Sequence, residues 1–528
     1  MQITASQLPI LTSTQLTQPA KDATAVDLPD TLSPALVSVT TETNSPATLV
    51  NLSGFKDASD LYEQPKLVDM VQMSSTQDKT KTATTLSQAL AADAANLRKN
   101  KSPFTPSNFL SQIGSLSRET NTYKNSAFSY QLASTKANDK LKLSFADTGG
   151  KPQETVTLRV RTKDGDTIDI KIQHSKSATG DNLEFSFDVT GKLSETEQDA
   201  LEKLANKFGQ VADDFFRIGT TELHGLKEFD QANLKDFQIE FSKPKGDSYT
   251  TMNYNFSVDE QTQTQHLSAK DSDGYSFDIT ANLQDLLGDA NPSFNQSLEN
   301  YLAIIRKTLN QHQPAQAEHS NTASMRFILD GLTSMLSPNG KQKEALAGSS
   351  TDKALAAFDT GLPDFTAVIN APLYVYRDLQ HSLELPESMS LKLEQRTERQ
   401  VQKDGTLLVK QVNSFERQSR QIEAIPGADK PDFIFGNFNY KTVHEKQETS
   451  RILSLGKNEI NNLITEHTGS VETTLESYRN FKSQGIQKEE HQDYKINQLV
   501  DERAKYKQLK QNLDSLKALQ DSHKQLFF

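Results

Sequence analysis

A chain of 528 residues with 57 Lys and Arg against 69 Asp and Glu carries a formal net charge of -12. That balance excludes the basic stripe of a non-specific nucleic-acid binder and any general attraction to anionic lipid. The absence of cysteine excludes disulfides, thiolate metal sites and a thiol nucleophile. With 35% hydrophobic residues and a mean hydropathy of -0.63, part of the chain is expected not to bury enough apolar surface to offset the entropy of ordering.

Residues 1–80 read as a disordered arm, rich in Ser, Thr, Gln, Ala and Pro with no sustained period. No Lys or Arg precedes the short apolar patch Leu8–Leu11, so no cleaved secretory signal is expected. No stretch approaches the roughly 18 apolar residues of a membrane span. The expectation is a soluble protein, cytoplasmic or exported by a leaderless route.

Residues 81–121 read as a short helix and linker. Leu86, Leu90, Ala94 and Leu97 share one helical face, and Pro103 and Pro106 then break the chain. From residue 122 the period becomes two. Phe128/Tyr130/Leu132, Leu141/Leu143/Phe145, Val156/Leu158/Val160, Ile168/Ile170/Ile172 and Leu183/Phe185/Phe187 alternate with polar residues, as half-buried antiparallel strands do. Lys163-Asp164-Gly165-Asp166 marks a hairpin. Ser194 and Glu197 have capping-box spacing, and Leu201, Leu204, Phe208, Val211 and Phe215 form a stripe expected to cover the sheet.

Alternation resumes at Phe237/Ile239/Phe241, Tyr254/Phe256/Val258 and Tyr275/Phe277/Ile279, with a turn at Asp273-Gly274. A helix from Ser293 carries Phe294, Leu298, Tyr301, Leu302, Ile305 and Leu309 on one face. A second, Met325–Leu336, completes a helical hairpin against the sheet. Residues 338–361 read as a linker, with Ala345–Phe358 partly helical. A second β-rich region follows through Phe365–Ile369, Leu373–Tyr376, Met389–Leu393, Leu407–Val412 and Phe433–Val443. Lys403-Asp404-Gly405-Thr406 echoes the first Asp-Gly turn, a weak hint of repetition. From Lys495 onward, Leu499, Glu502, Tyr506, Leu509, Leu513 and Leu516 keep a heptad seam. It reads as a helix folded back on the second domain, the alternative being a coiled-coil dimer.

Specific chemistry is missing. The chain has no phosphate loop, dinucleotide glycine fingerprint, serine elbow or H-E-x-x-H pair. His444-Glu445-Lys446-Gln447-Glu448 puts Glu where the second His ligand belongs. Asp271-Ser272-Asp273-Gly274 starts like a calcium loop but lacks the closing Glu, and reads as a turn. The aromatic run Phe433–Tyr440 reads as a central strand covered on both sides, with a stacking platform for sugars or peptides as the alternative. Catalytic, cofactor-binding and metal-ligating residues are therefore assigned to none, and no cofactor or small-molecule ligand is inferred.

Leu183–Phe216 combines a strand, the acidic cap Leu193-Ser194-Glu195-Thr196-Glu197-Gln198 and the closing Ala212-Asp213-Asp214-Phe215-Phe216. It resembles an uncharacterised bacterial domain family, a likeness that covers about a fifth of the chain by the common amphipathic patterns of such elements and implies no activity.

The architecture expected is α+β: two antiparallel-sheet domains with packed helices, at 122–337 and 362–528, a disordered N-terminal arm and a C-terminal helix. The function expected is a non-catalytic structural or interaction protein, bacterial and envelope- or surface-associated, with a protein partner or self-association through the C-terminal helix. The alternatives are a polymer-acting hydrolase using dispersed carboxylates and a secreted toxin or effector.

Overall fold

Ile168, Ile170 and Ile172 are buried on one face of their strand while Thr167, Asp169 and Lys171 are not. The same two-residue period organises the chain far beyond this strand. The computed structural model describes residues 47–51, 67–75, 80–99, 103–133, 151–176, 180–218, 232–272, 274–282, 293–311, 322–336, 350–456 and 460–500. Among these residues ten strands precede the long helical connection: β1 (Ala47–Asn51), β2 (Leu67–Ser75), β3 (Thr122–Ala133), β4 (Lys151–Thr162), β5 (Thr167–Lys176), β6 (Gly180–Thr190), β7 (Leu234–Lys245), β8 (Ser248–Asp259), β9 (Thr264–Asp271) and β10 (Ser276–Asn282). Six longer ones follow: β11 (Asp364–Asp378), β12 (Leu383–Val401), β13 (Leu407–Glu423), β14 (Phe438–Leu455), β15 (Ile460–Arg479) and β16 (Lys482–Val500).

All belong to one antiparallel 16-stranded sheet in the order 1-2-3-6-5-4-7-8-9-10-11-12-13-14-15-16. The meander β4–β5–β6 folds back, so that β6 lies beside β3 and β4 beside β7. Register partners carry one apolar face across the strands. Phe185 opposes Ile172, Ile172 opposes Val156, Val156 opposes Phe241, and Phe241 opposes Met252. Further along, Tyr254 opposes Ala269, Ala269 opposes Phe277, Phe277 opposes Ile369, and Ile369 opposes Leu391. The Asp-Gly turns close β4–β5 and β12–β13 with Gly165 at φ +97° and Gly405 at φ +84°, the left-handed backbone that favours glycine.

Among the described residues seven helices accompany the sheet: α1 (Lys81–Arg98), α2 (Ser107–Leu110), α3 (Ile113–Glu119), α4 (Glu195–Ile218), α5 (Phe294–Gln311), α6 (Thr322–Leu336) and α7 (Ser350–Phe358). The α4 capping box is formed: the Ser194 amide donates to Glu197 Oε2 at 2.8 Å, and the Glu197 amide to Ser194 Oγ at 3.3 Å. Its apolar stripe lies on the sheet, with the Phe208 ring 4.9 Å from Phe237 and the Phe215 ring 5.6 Å from Phe241. The α5–α6 pair covers β9, β10 and β12 as a helical hairpin, and Gly331 lets α6 approach Phe277 closely.

The two-domain reading is overturned. β10 and β11 pair from Ser276↔Asn370 to Asn282↔Asp364, and one core cluster runs from Val71 to Phe415. The polar composition around 338–361 resembles an interdomain linker. Yet α5, α6 and α7 sit within a connection between neighbouring strands, and α7 itself occupies most of the described part of that stretch. The C-terminal helix is likewise corrected where it can be seen. Lys495–Val500 belong to β16, paired through His467↔Lys495 and Asn462↔Val500; the rest of the heptad seam, 501–528, lies outside the described residues. A neighbouring strand offers these polar residues a complete backbone ladder, which a heptad with so few apolar positions does not outweigh. Within the expected N-terminal arm, Ala47–Asn51 and Leu67–Ser75 are strands at the β1 end of the sheet. Leu141–Phe145 lies outside the described residues.

Two smaller clusters complete the long-stranded half. Ala354, Ala357 and Phe358 of α7 pack on Val409, Leu453, Leu455 and Leu463. Tyr376, Leu385, Ile422, Phe438 and Tyr478 pack near the hairpin tips.

Candidate functional site

Paired carboxylates are the chemistry that the sequence leaves open, and the structure gathers one pair. Glu154 on β4 and His174 on β5 are direct register partners, and Asp181 on β6 is a diagonal neighbour. The imidazole is held from both sides, by Glu154 at Nδ1 and by Asp181 Oδ1 3.1 Å from Nε2. Arg98, in the last turn of α1, sits 3.6 Å from the other Asp181 oxygen. Burial alone would lower the pKa of His174, but Asp181 and Glu154 outweigh it and carry the value up to about 9. The ring is therefore cationic at neutral pH. Two cations balance two carboxylates, and an imidazolium occupies the space between them that a glycosidase leaves for sugar and water. This cluster ties three strands to the end of α1.

A second buried network fixes α7. Arg451 on β14 is fully buried. Its Nη1 donates to Gln411 Oε1 at 3.0 Å and its Nη2 to the Phe358 carbonyl at 2.8 Å. Burial pulls its pKa down to about 9, partly offset by Asp359, which leaves it cationic at neutral pH. Burial also raises the Asp359 carboxyl above its usual range, against the Gly361 amide and the charges of Arg399 and Arg451. Thr360 Oγ1 donates to Gln395 Oε1 at 3.1 Å, and the Gln395 amide donates to the carbonyls of Leu362 and Pro363 at 3.1 and 3.2 Å. These bonds satisfy the chain where it leaves the helix for β11, so the polar stripe is accounted for by anchoring.

The motifs singled out in the sequence stay apart. His444 meets Glu416 at 2.8 Å and Glu445 meets Arg417 at 2.6 Å, as neighbours on opposite faces of β14. Asp271 caps a turn, its side chain accepting from the Tyr275 amide at 2.9 Å. Among the described residues, no group of three or more His, Cys, Asp or Glu is placed to hold a metal ion, and no helix is long and apolar enough to cross a membrane. The aromatic run is not a covered strand throughout. β14 begins only at Phe438, and Ile434 and Phe435 stand 80% and 65% exposed in the preceding turn. That turn meets the tip between β15 and β16, where the Phe481 amide donates to the Gly436 carbonyl at 3.1 Å, and the His381 ring from the tip between β11 and β12 stacks on Phe481 at 3.9 Å.

β16 pairs with β15 on one side and with no other strand among the described residues. Every residue from Lys482 to Lys495 is exposed, so neither face of this stretch is covered. Ile486 and Tyr494 are among the exposed large side chains. No family model, curated protein or solved structure matches the chain. The residues that carry the family resemblance form β6 and α4. Their apolar side chains serve the core, so what the chain does must be argued from its own surfaces.

Sequence reasoning missed β1, β2, β9, β15 and β16, the His174 cluster and Arg451. Polar residues on both faces hide β15 and β16. The alternation Gln265/Leu267/Ala269 is the signal that finds β9.

Proposed function

We propose that the protein is a non-catalytic interaction protein that offers the open edge of its long-stranded sheet to an extended segment of a protein partner. The observation that carries this reading is β16, a 19-residue strand that is the last of the sheet among the described residues and is exposed on both faces from Lys482 to Lys495. Such an edge presents a row of backbone donors and acceptors that an added strand can use, while side chains set specificity. Charged side chains along β16 are also the usual guard against indiscriminate pairing. They leave room for a partner of matching charge. The test is affinity capture followed by hydrogen–deuterium exchange on the captured complex. Slowed exchange confined to β16 supports the reading. Protection elsewhere, or hydrolysis of glycan or peptide polymers by the purified chain, overturns it.

A further inference from the structure

We infer that the strand added to β16 is the β16 of a second copy of this chain, antiparallel and centred on Gln492; this rests on the open-edge reading above. A twofold axis normal to the sheet keeps each face continuous across such a junction. Residues equally spaced on either side of the centre then oppose each other. β16 holds an uninterrupted register with β15 from Ile486 to Val500, so its outer edge is regular over that stretch.

The charge pattern selects the centre. With Gln492 on the axis, Glu489 of each copy faces Lys495 of the other, and His491 of each faces Asp493 of the other. Each pairing occurs twice by symmetry, on the face that β16 shares with His467 and Val471 of β15. On the opposite face the two Gln492 amides meet, and Tyr494 faces Glu490. No like charges are opposed. Neighbouring centres fail. His491 on the axis sets Glu489 against Asp493; Glu489, Glu490, Asp493, Lys488 or Lys495 on the axis sets a charge against itself. Tyr494 on the axis keeps only the Asp493–Lys495 pairing. Opposite charges across strands stabilise and like charges destabilise, so this edge is most complementary to itself with Gln492 at the centre.

Existing contacts are compatible with it. Lys488 meets Glu472 of β15 at 3.0 Å on the other face, and His491 meets Asp493 of its own strand at 3.1 Å, which leaves both beside the proposed junction.

Sedimentation equilibrium of the full chain tests the proposal. The wild type is expected to be a dimer. Glu489→Lys and Lys495→Glu are each expected to weaken dimerisation at least tenfold, and the double exchange to restore it. A dimer indifferent to both single changes, or a double variant that stays monomeric, overturns the register. Deuterium exchange separates the remaining outcomes. A monomeric wild type with fast-exchanging amides at alternate positions of β16 overturns self-pairing and leaves the edge open to a different strand. A monomer with all β16 amides protected overturns the open-edge reading as well.

Discussion

Arg451 reaches the Phe358 carbonyl with Nη2 at 2.8 Å while its guanidinium carbon lies 4.4 Å from the centre of the Phe358 ring. One side chain of β14 thus holds both the backbone end and the last aromatic residue of α7. A cation is favoured at a helix C-terminus, where carbonyls lack intrahelical partners.

Replacing Arg451 by Met should leave the Phe358 carbonyl without this donor and Asp359 with Arg399, 3.5 Å away, as its remaining cation. Breaking a buried ion network from one side costs about 3–5 kcal/mol. Urea denaturation should show a lower midpoint with α7 loosened first, read as faster deuterium exchange at Ala354–Phe358. An unchanged midpoint would mean that α7 does not depend on this anchor.

The His174 cluster makes stability depend on pH. Its folded pKa, about 9, lies above the ordinary histidine value of 6.5. The contribution is therefore complete below pH 6.5 and disappears as pH rises through about 9. The difference corresponds to something on the order of 3 kcal/mol. Denaturation midpoints measured from pH 6 to pH 10 should fall across that window for the wild type, and the fall should be much smaller in His174→Gln. Parallel curves for the two proteins would remove the cluster as the cause.

Gly331→Ala should destabilise the protein although alanine favours helix. A Cβ at Gly331 would stand 2.4 Å from the Phe277 ring. Overpacking of this kind costs about 1–3 kcal/mol, more than the roughly 1 kcal/mol gained in helix propensity. Thermal melting checks it, and Phe277→Leu in the same chain should recover part of the loss.

Ser194→Ala should cost about 1 kcal/mol, because Ser194 Oγ accepts from the Glu197 amide at the start of α4. The loss should appear in the urea midpoint with no change in sedimentation behaviour, since α4 lies far along the strand order from β16.

Elements that bury one face were legible because water sorts their residues. Ile168, Ile170 and Ile172 announce β5, and Ser194 with Phe208 and Phe215 announces α4. Strands β15 and β16 were not legible: Lys488, Glu490 and Gln492 alternate with Glu489, His491 and Asp493, and polar faces polar. Their pairing rests on the backbone ladder with β14 and on each other, which no side-chain period records. The His174 cluster was hidden differently. Glu154, His174 and Asp181 are scattered in sequence and meet only because β4, β5 and β6 are adjacent. The unity of the sheet was hidden by α5 and α6, whose amphipathic pattern with a polar link after it reads like the end of a domain.

The fold-back of β4–β5–β6 bears on how the chain reaches this structure. Most neighbours in the sheet are neighbours in sequence, so strands can be added one hairpin at a time as the polypeptide is made. Two pairings break that rule: β3 must wait for β6, and β4 for β7, each across two intervening strands. β10 and β11 are consecutive, but β10 must wait for β11 across three helices. Distant closures bear the greatest loss of chain freedom and set the pace of folding. Changes that weaken the β3–β6 or β10–β11 seam should therefore slow assembly more than equal changes in the long hairpins, which have their partner beside them from the moment they are synthesised.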